Sequence, residues 1–258
     1  MKNIIANNFP AIFFGHGNPM NAIGDNYYTR VWSEIPKSIP VPKAIIVISA
    51  HWETHGIRVT SNSNQKTIHD FYGFPKELFD IQYNPKGDEE LAKHIQNIIT
   101  EVKLDDSWGL DHGSWSVLKH LYPKADIPVI QFSIDKNKTP REHYEIARKL
   151  RILRKEEILI IGSGNIVHNL AMINWNNNEA YPWAIEFNNE IKNAIITNNH
   201  DIVINYQKLS GSNYAVPTAE HFIPLIYILG LQMADETADI FTNKIDIGSI
   251  SMMSVIIK

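Results

Sequence analysis

Five short apolar runs recur along the chain: "AIFF" at 11–14, "AIIVIS" at 44–49, "IRVT" at 57–60, "PVIQFSI" at 128–134 and "EILIIGS" at 157–163. Runs this short and this rich in Ile, Val and Leu belong to strands covered on both faces. Helical patterns interleave with them. Residues 88–101 carry Leu91, Ile95, Ile98 and Ile99 at helical spacing, 139–154 opens on a Thr-Pro start signal, and 184–197 has the same periodicity. Strands alternating with helices predict an α/β fold: one largely parallel, mixed sheet with helices on both faces. The tail "DIFTNKIDIGSISMMSVIIK" adds one or two strands, read as antiparallel. No repeat, low-complexity tract or Gly/Ser/Pro-rich linker divides the chain, so a single domain over residues 1–258 is expected. "NWNNN" at 174–178 reads as an exposed loop.

With 24 Lys plus Arg against 28 Asp plus Glu, the net charge of -4 gives no reason to bind a polyanion. Nucleic acid and anionic membranes are not expected as partners. No apolar stretch reaches the roughly 18 residues of a membrane helix, and the N-terminus lacks a cleavage pattern, so the cytoplasm is the expected compartment. The chain has no cysteine, which excludes disulfides, thiolate metal sites and cysteine nucleophiles. Any metal must be held by His, Asp or Glu.

That directs attention to the 11 histidines. His16 follows "AIFFG", His51 follows "AIIVISA", and His168 follows "EILIIGSGNIV". Parallel strands share one carboxyl edge, where open α/β sheets bind ligands, so these three rings are expected at the same edge. Around His16, Gly15 and Gly17 let the backbone turn tightly. His221 is expected in the first turn of a helix, with Thr218 as N-cap and a bend at Pro224. His112 sits in a turn before another helix. His55 and His69 fall in loops near the proposed site and are read as structural, while His94, His120, His143 and His200 are expected at the surface or as caps. Neutral imidazoles suit Zn, Fe(II), Cu and Ni. Asp111, Glu53 and Glu220 lie beside these histidines; one could complete a two-histidine, one-carboxylate set, but they are read first as orienting or solvated groups.

Competing motifs are weak. "GSGNIV" at 162–167 starts like a dinucleotide fingerprint but has Val167 in place of the third glycine. No phosphate loop, GxSxG elbow or HExxH helix is present.

"GHGNPMNAI", "VISAHWE", "DFYGFPKELF", "YNPKGD", "GLDHGSWSVLKHLYP", "PVIQFSID", "IIGSGNIVHNL" and "AEHFIPLIYILG" occur in this order between about residue 10 and residue 230. Together they resemble the DOPA-dioxygenase-type members of the class III (LigB-type) extradiol ring-cleaving dioxygenases. The resemblance implies one divalent metal per chain, with zinc in the protein as isolated and Fe(II) for catalysis. It marks His16, His51 and His221 as metal ligands. His168 is implied either as a fourth ligand or as an acid–base group, and His112 as a residue that binds substrate or moves a proton. An all-histidine site departs from the two-histidine, one-glutamate set of the protocatechuate-cleaving relatives and also suits zinc.

The implied activity is cleavage of a catechol-type, DOPA-like ring beside its diol, using O2 and giving a semialdehyde. The base and acid it needs are assigned to His112 and His168, in either order. Phe71 and Tyr72, in "HDFYGFP", are expected to contact the substrate. Alternatives are a metal-free or zinc-loaded binding or signalling protein of the same fold, and a zinc hydrolase. A monomer or small homo-oligomer is expected.

Overall fold

The structure, a computed structural model, describes residues 8–175 and 179–258. The chain enters through β1 (Ala11–Gly15), passes α1 (Tyr27–Ser38), and returns through β2 (Ala44–Thr54) and the short β3 (Arg58–Thr60). After α2 (Lys76–Phe79), α3 (Glu89–Ile98) and β4 (Lys103–Asp105), it forms α4 (His112–Leu121), β5 (Val129–Asp135), α5 (Pro140–Lys155) and β6 (Ile158–Gly164). Four helices follow, α6 (Pro182–Ile196), α7 (His200–Ile204), α8 (Ser212–Ala215) and α9 (Ile223–Leu231). The tail carries β7 (Ala238–Thr242), β8 (Ile245–Asp246), β9 (Ile250–Ser251) and β10 (Ser254–Ile257).

Eight strands form one sheet in the order β4-β3-β5-β2-β6-β1-β10-β7. The central four, β5, β2, β6 and β1, are parallel; β10 pairs antiparallel with β1, and β7 pairs antiparallel with β10. The pleat sends alternate residues to opposite faces. Phe13, Ile46, Ile130 and Ile160 face α5, α6 and α9, while Phe14, Val47, Val129 and Leu159 face α1 and α4. This is the expected α/β fold.

Three local expectations change. The tail holds four strands, because β8 and β9 pair with each other in a hairpin apart from the main sheet. Thr218 is not an N-cap: α9 begins two residues after His221, its cap residue is Phe222, and the Thr218 hydroxyl donates to Glu220 instead. Pro224 therefore sits in the first turn, where its missing N–H costs no helical hydrogen bond and the helix has no need to bend.

His143 and His200 are not surface residues, at 1% and 9% exposure. His143 lies on the α5 stripe with Ile146, Ala147 and Leu150, so the 3.6-residue period carries it inward. Of the "NWNNN" loop, Trp175 is exposed as expected and Asn174 is half-buried, while Asn176, Asn177 and Asn178 lie outside the described residues.

Candidate active site

The register of the parallel strands brings the histidines together. Gly15 stands beside Gly164, and Ser49 beside Ser163, so β1, β2 and β6 end at one level. His16 follows directly and its backbone N–H donates to Gly164 O at 3.0 Å. In β2 the ladder slips between Ile48 and Glu53: five steps along β2 match two along β5. This bulge turns His51 out of the ladder and towards His16.

Gly17 has φ +61°, a left-handed turn that favours glycine. Gly164 permits another close approach, since a Cβ there would lie 2.2 Å from His221 O. The Gly-x-Gly of "GSGNIV" thus serves packing beneath α9. His112 opens α4 with Asp111 as its N-cap, and His168 is fixed by an isolated antiparallel bridge to Ile250.

All five rings meet. The His16 and His51 centroids are 5.1 Å apart, His16 and His221 5.5 Å, His51 and His221 4.9 Å, and His51 and His112 4.0 Å. His168 stacks on His221, 3.5 Å between centroids and 8° between planes. Two groups gather their donor atoms within 4.8 Å, as a metal ion requires: His16, His51 and His112, and His168, Glu220 and His221. The ligand set implied by the resemblance spans both.

Hydrogen bonds fix the tautomers. The Ser163 hydroxyl donates to Gly113 O at 2.5 Å, so its oxygen accepts from His16 Nδ1 at 2.9 Å. Asp70 Oδ2 accepts from His112 Nδ1 at 2.9 Å and lies 3.3 Å from His51 Nδ1. Glu220 Oε1 accepts from His221 Nδ1 at 3.1 Å. With the Nδ1 protons of His16, His112 and His221 so held, their Nε2 atoms keep the lone pair, and His51 Nε2 lies within hydrogen-bond distance of His16 Nε2, at 3.2 Å. Burial, reinforced by the neighbouring rings, holds His16 and His221 well below the usual imidazole range. Burial also pushes His51 down to about 3 and His168 to about 4. These four rings are neutral at pH 7, the form that can donate a lone pair.

Asp70 is the residue the sequence reading passed over. Its side chain is 18% exposed, Oδ1 accepts the His112 backbone N–H at 2.8 Å, and Oδ2 serves two rings. Burial raises its pKa, but the His112 hydrogen bond and the nearby imidazoles outweigh that and keep the carboxyl below its usual range. Its only sequence signal is its place within "DFYGFPKELF". Asp111 and Glu53 do not join the rings. Asp111 is fully buried and accepts from Ser49 and Ser114, and Glu53 pairs with Lys136. Glu220 orients His221, as the sequence suggested for an acidic neighbour. His69 bonds Ile81 O, and His55 is exposed.

The rings form the floor of a cavity of about 480 Å³, with Phe71, Tyr72, Phe74 and Trp175 among its walls. Phe71 stands edge-on to His112, with centroids 5.5 Å apart, and is braced by Phe74, Phe79 and Trp115.

Residues 19–257 match the family described as the catalytic LigB subunit of aromatic ring-opening dioxygenase. This chain belongs to the LigB family. The family is one of ring-opening dioxygenases, so the chain is an enzyme of that class. Among LigB-family relatives, the 4,5-DOPA dioxygenase extradiol of Escherichia coli K12 is 43% identical, covering 99% of this chain and 97% of its own. That of Beta vulgaris is 36% identical over 93% and 92%. The crystal structure of an uncharacterized protein from Escherichia coli K12 superposes with a TM-score of 0.86 at 40% identity, covering 97% of this chain and all of that one. Among the described residues, no helix of this LigB-family chain is long and apolar enough to cross a membrane.

Proposed function

We propose that this chain is a metal-dependent extradiol dioxygenase that opens a catechol-type ring with O2 to give a semialdehyde. The observation that carries this reading is the convergence of the His16 and His51 Nε2 atoms, 3.2 Å apart, with the His221 ring beside both. The spacing fits two nitrogens that share one ion at roughly 2.0–2.1 Å. His16, His51 and His221 would hold that ion. When bound, such an ion would offer positions for both diol oxygens and a path for charge from the ring to O2.

The other residues position and move protons. Asp70 fixes the His112 ring by gripping both its backbone N–H and Nδ1, which leaves Nε2 to take a proton from the diol. The carboxylate then stabilises the charge that His112 gains. His168 lies parallel to His221, so one ion cannot lie in the planes of both rings. A fourth-ligand role would require its ring to turn. In the stacked pose its neutral ring would first take up a proton released in the reaction and then pass it to the departing oxygen. Phe71 and Tyr72 wall the place where the aromatic ring would lie.

The test is anaerobic loading with Fe(II) followed by a panel of catechols: the reading predicts O2 uptake and a yellow semialdehyde. Iron bound at one per chain with no uptake on any diol would overturn it. The all-histidine donor set favours a second reading, a zinc-loaded protein without oxygenase activity, which metal analysis of the unloaded protein and O2-independent turnover would reveal.

A further inference from the structure

The cavity has two unlike halves. Its floor is the histidine cluster with Asp70. Its outer rim is built from Tyr72, Leu170, Ile173, Trp175 and Ile247. Three of these are unusually open for large apolar side chains: Tyr72 is 91% exposed, Trp175 72% and Leu170 63%. Exposed apolar residues scattered singly need no explanation, but a group sharing one rim marks a binding surface.

The rim also stores strain. Ile247 has φ +44°, a left-handed conformation that a β-branched residue avoids. Backbone hydrogen bonds hold it there. Asn174 N donates to Ile247 O at 2.9 Å, Tyr181 N to Gly248 O at 3.0 Å, and Asn169 N to Ser249 O at 3.2 Å. The turn between β8 and β9 is thereby laced to the segment that carries Leu170, Ile173 and Trp175, and Ile247 is fixed in the cavity wall. Strain retained at a cavity is a mark of function.

Charge completes the picture. Among the described residues lining the cavity, Asp70 is the one carboxylate, and there is no lysine or arginine. The N–H donors around Asp70 are already committed to it. A carboxylate on the substrate's side chain would enter an apolar rim and lose water there with no lysine or arginine to receive it.

We infer that the outer half is a subsite for an uncharged, apolar ring substituent, so the preferred diol is an alkyl- or aryl-substituted catechol and not one bearing a carboxylate. This rests on the ring-cleaving reading above and narrows its substrate. The apolar substituent gains burial against Trp175, Ile173 and Ile247. DOPA, with a carboxylate and an ammonium group, gains little of it.

The experiment compares a propyl-substituted catechol with its propionate analogue and with DOPA on one Fe(II)-loaded preparation, reading kcat/KM from O2 uptake. Equilibrium Kd values on the zinc-loaded protein, from tryptophan fluorescence, give a second readout that needs no turnover. The propyl compound is expected to lead by about tenfold or more in both. Trp175→Ala should shrink that lead. Leu170→Lys, at an exposed position, should favour the propionate. Equal or better kcat/KM and Kd for the carboxylates would overturn the subsite. Absence of turnover on every diol would count against the ring-cleaving reading, and the Kd order would still decide the subsite.

Discussion

Two groups of buried histidines can be compared in this molecule. One is the cluster at the carboxyl edge of the sheet; the other is the pair on the helical face, His143 and His200. Burial pushes His143 down to about 4, much as it does His168, so a depressed pKa does not separate the groups. Their partners do. His143 Nδ1 meets the Tyr227 hydroxyl at 2.9 Å, and His200 is held by the Tyr144 hydroxyl at 2.9 Å and Gln232 Oε1 at 3.0 Å. Each of these rings stands alone with neutral partners that satisfy it. In the cluster, neighbouring rings crowd together with their Nδ1 protons drawn outward, and nitrogens are left facing one another. Convergence of several ring nitrogens marks the site; burial alone does not.

The sharpest way to break this contrast is a paired substitution. His16→Ala should take metal content from one ion per chain to near zero and turnover to background, with the circular dichroism spectrum unchanged. His143→Ala should leave kcat/KM unchanged and cost about 2–4 kcal/mol of stability in denaturant unfolding. If the two variants behaved alike, the distinction would fail.

Within the cluster, His168→Ala should lower kcat by about 10²–10⁴-fold while the ion stays bound. Loss of the ion would instead assign His168 to the ligand set. Asp70→Asn, which weakens the grip on two rings at once, should cost about 10–100-fold in metal affinity or activity. An unchanged Asp70→Asn enzyme would remove Asp70 from the positioning network.

How much of this contrast could be read from the sequence depends on what each feature needs. The strands that deliver His16, His51 and His168 are marked by local apolar runs, so their ends were legible, and so was the meeting of the rings at one edge. Asp70 was not. It is an exposed-looking loop residue whose partners, His51 and His112, are distant in sequence, and no local period links them. His143 was misplaced although its signal was present, since Ile146, Ala147 and Leu150 follow it at helical spacing. Trp175 lay in a run of asparagines that read as solvent. The four-stranded tail was blurred because β8 and β9 are only two residues each.

The smallest effect is on stability against pH, measured on metal-free protein. In the fold His51 stays neutral down to about 3, and His143 and His168 down to about 4. In the unfolded chain each takes up a proton below about 6.5. The unfolded state therefore binds more protons in that window, and stability should be full above about pH 6.5 and fall as the pH drops towards about 4. Asp111, raised by burial and by Asp70 to about 6, acts in the opposite sense: its contribution is full below its ordinary 3.8 and lost as pH rises through about 6. His16 and His221 are lowered as well, and Asp246 is raised beside Asp111; the histidines outnumber these carboxyls, so a net loss on acidification is predicted, and a melting temperature that rose on acidification would contradict it.

The most direct measurement is a crystal structure of the zinc- or iron-loaded protein with anomalous data at the metal edge. One ion per chain is predicted, with the Nε2 atoms of His16, His51 and His221 roughly 2.0–2.1 Å from a bound zinc. An ion bound elsewhere, or a His16 ring turned away from it, would contradict the account.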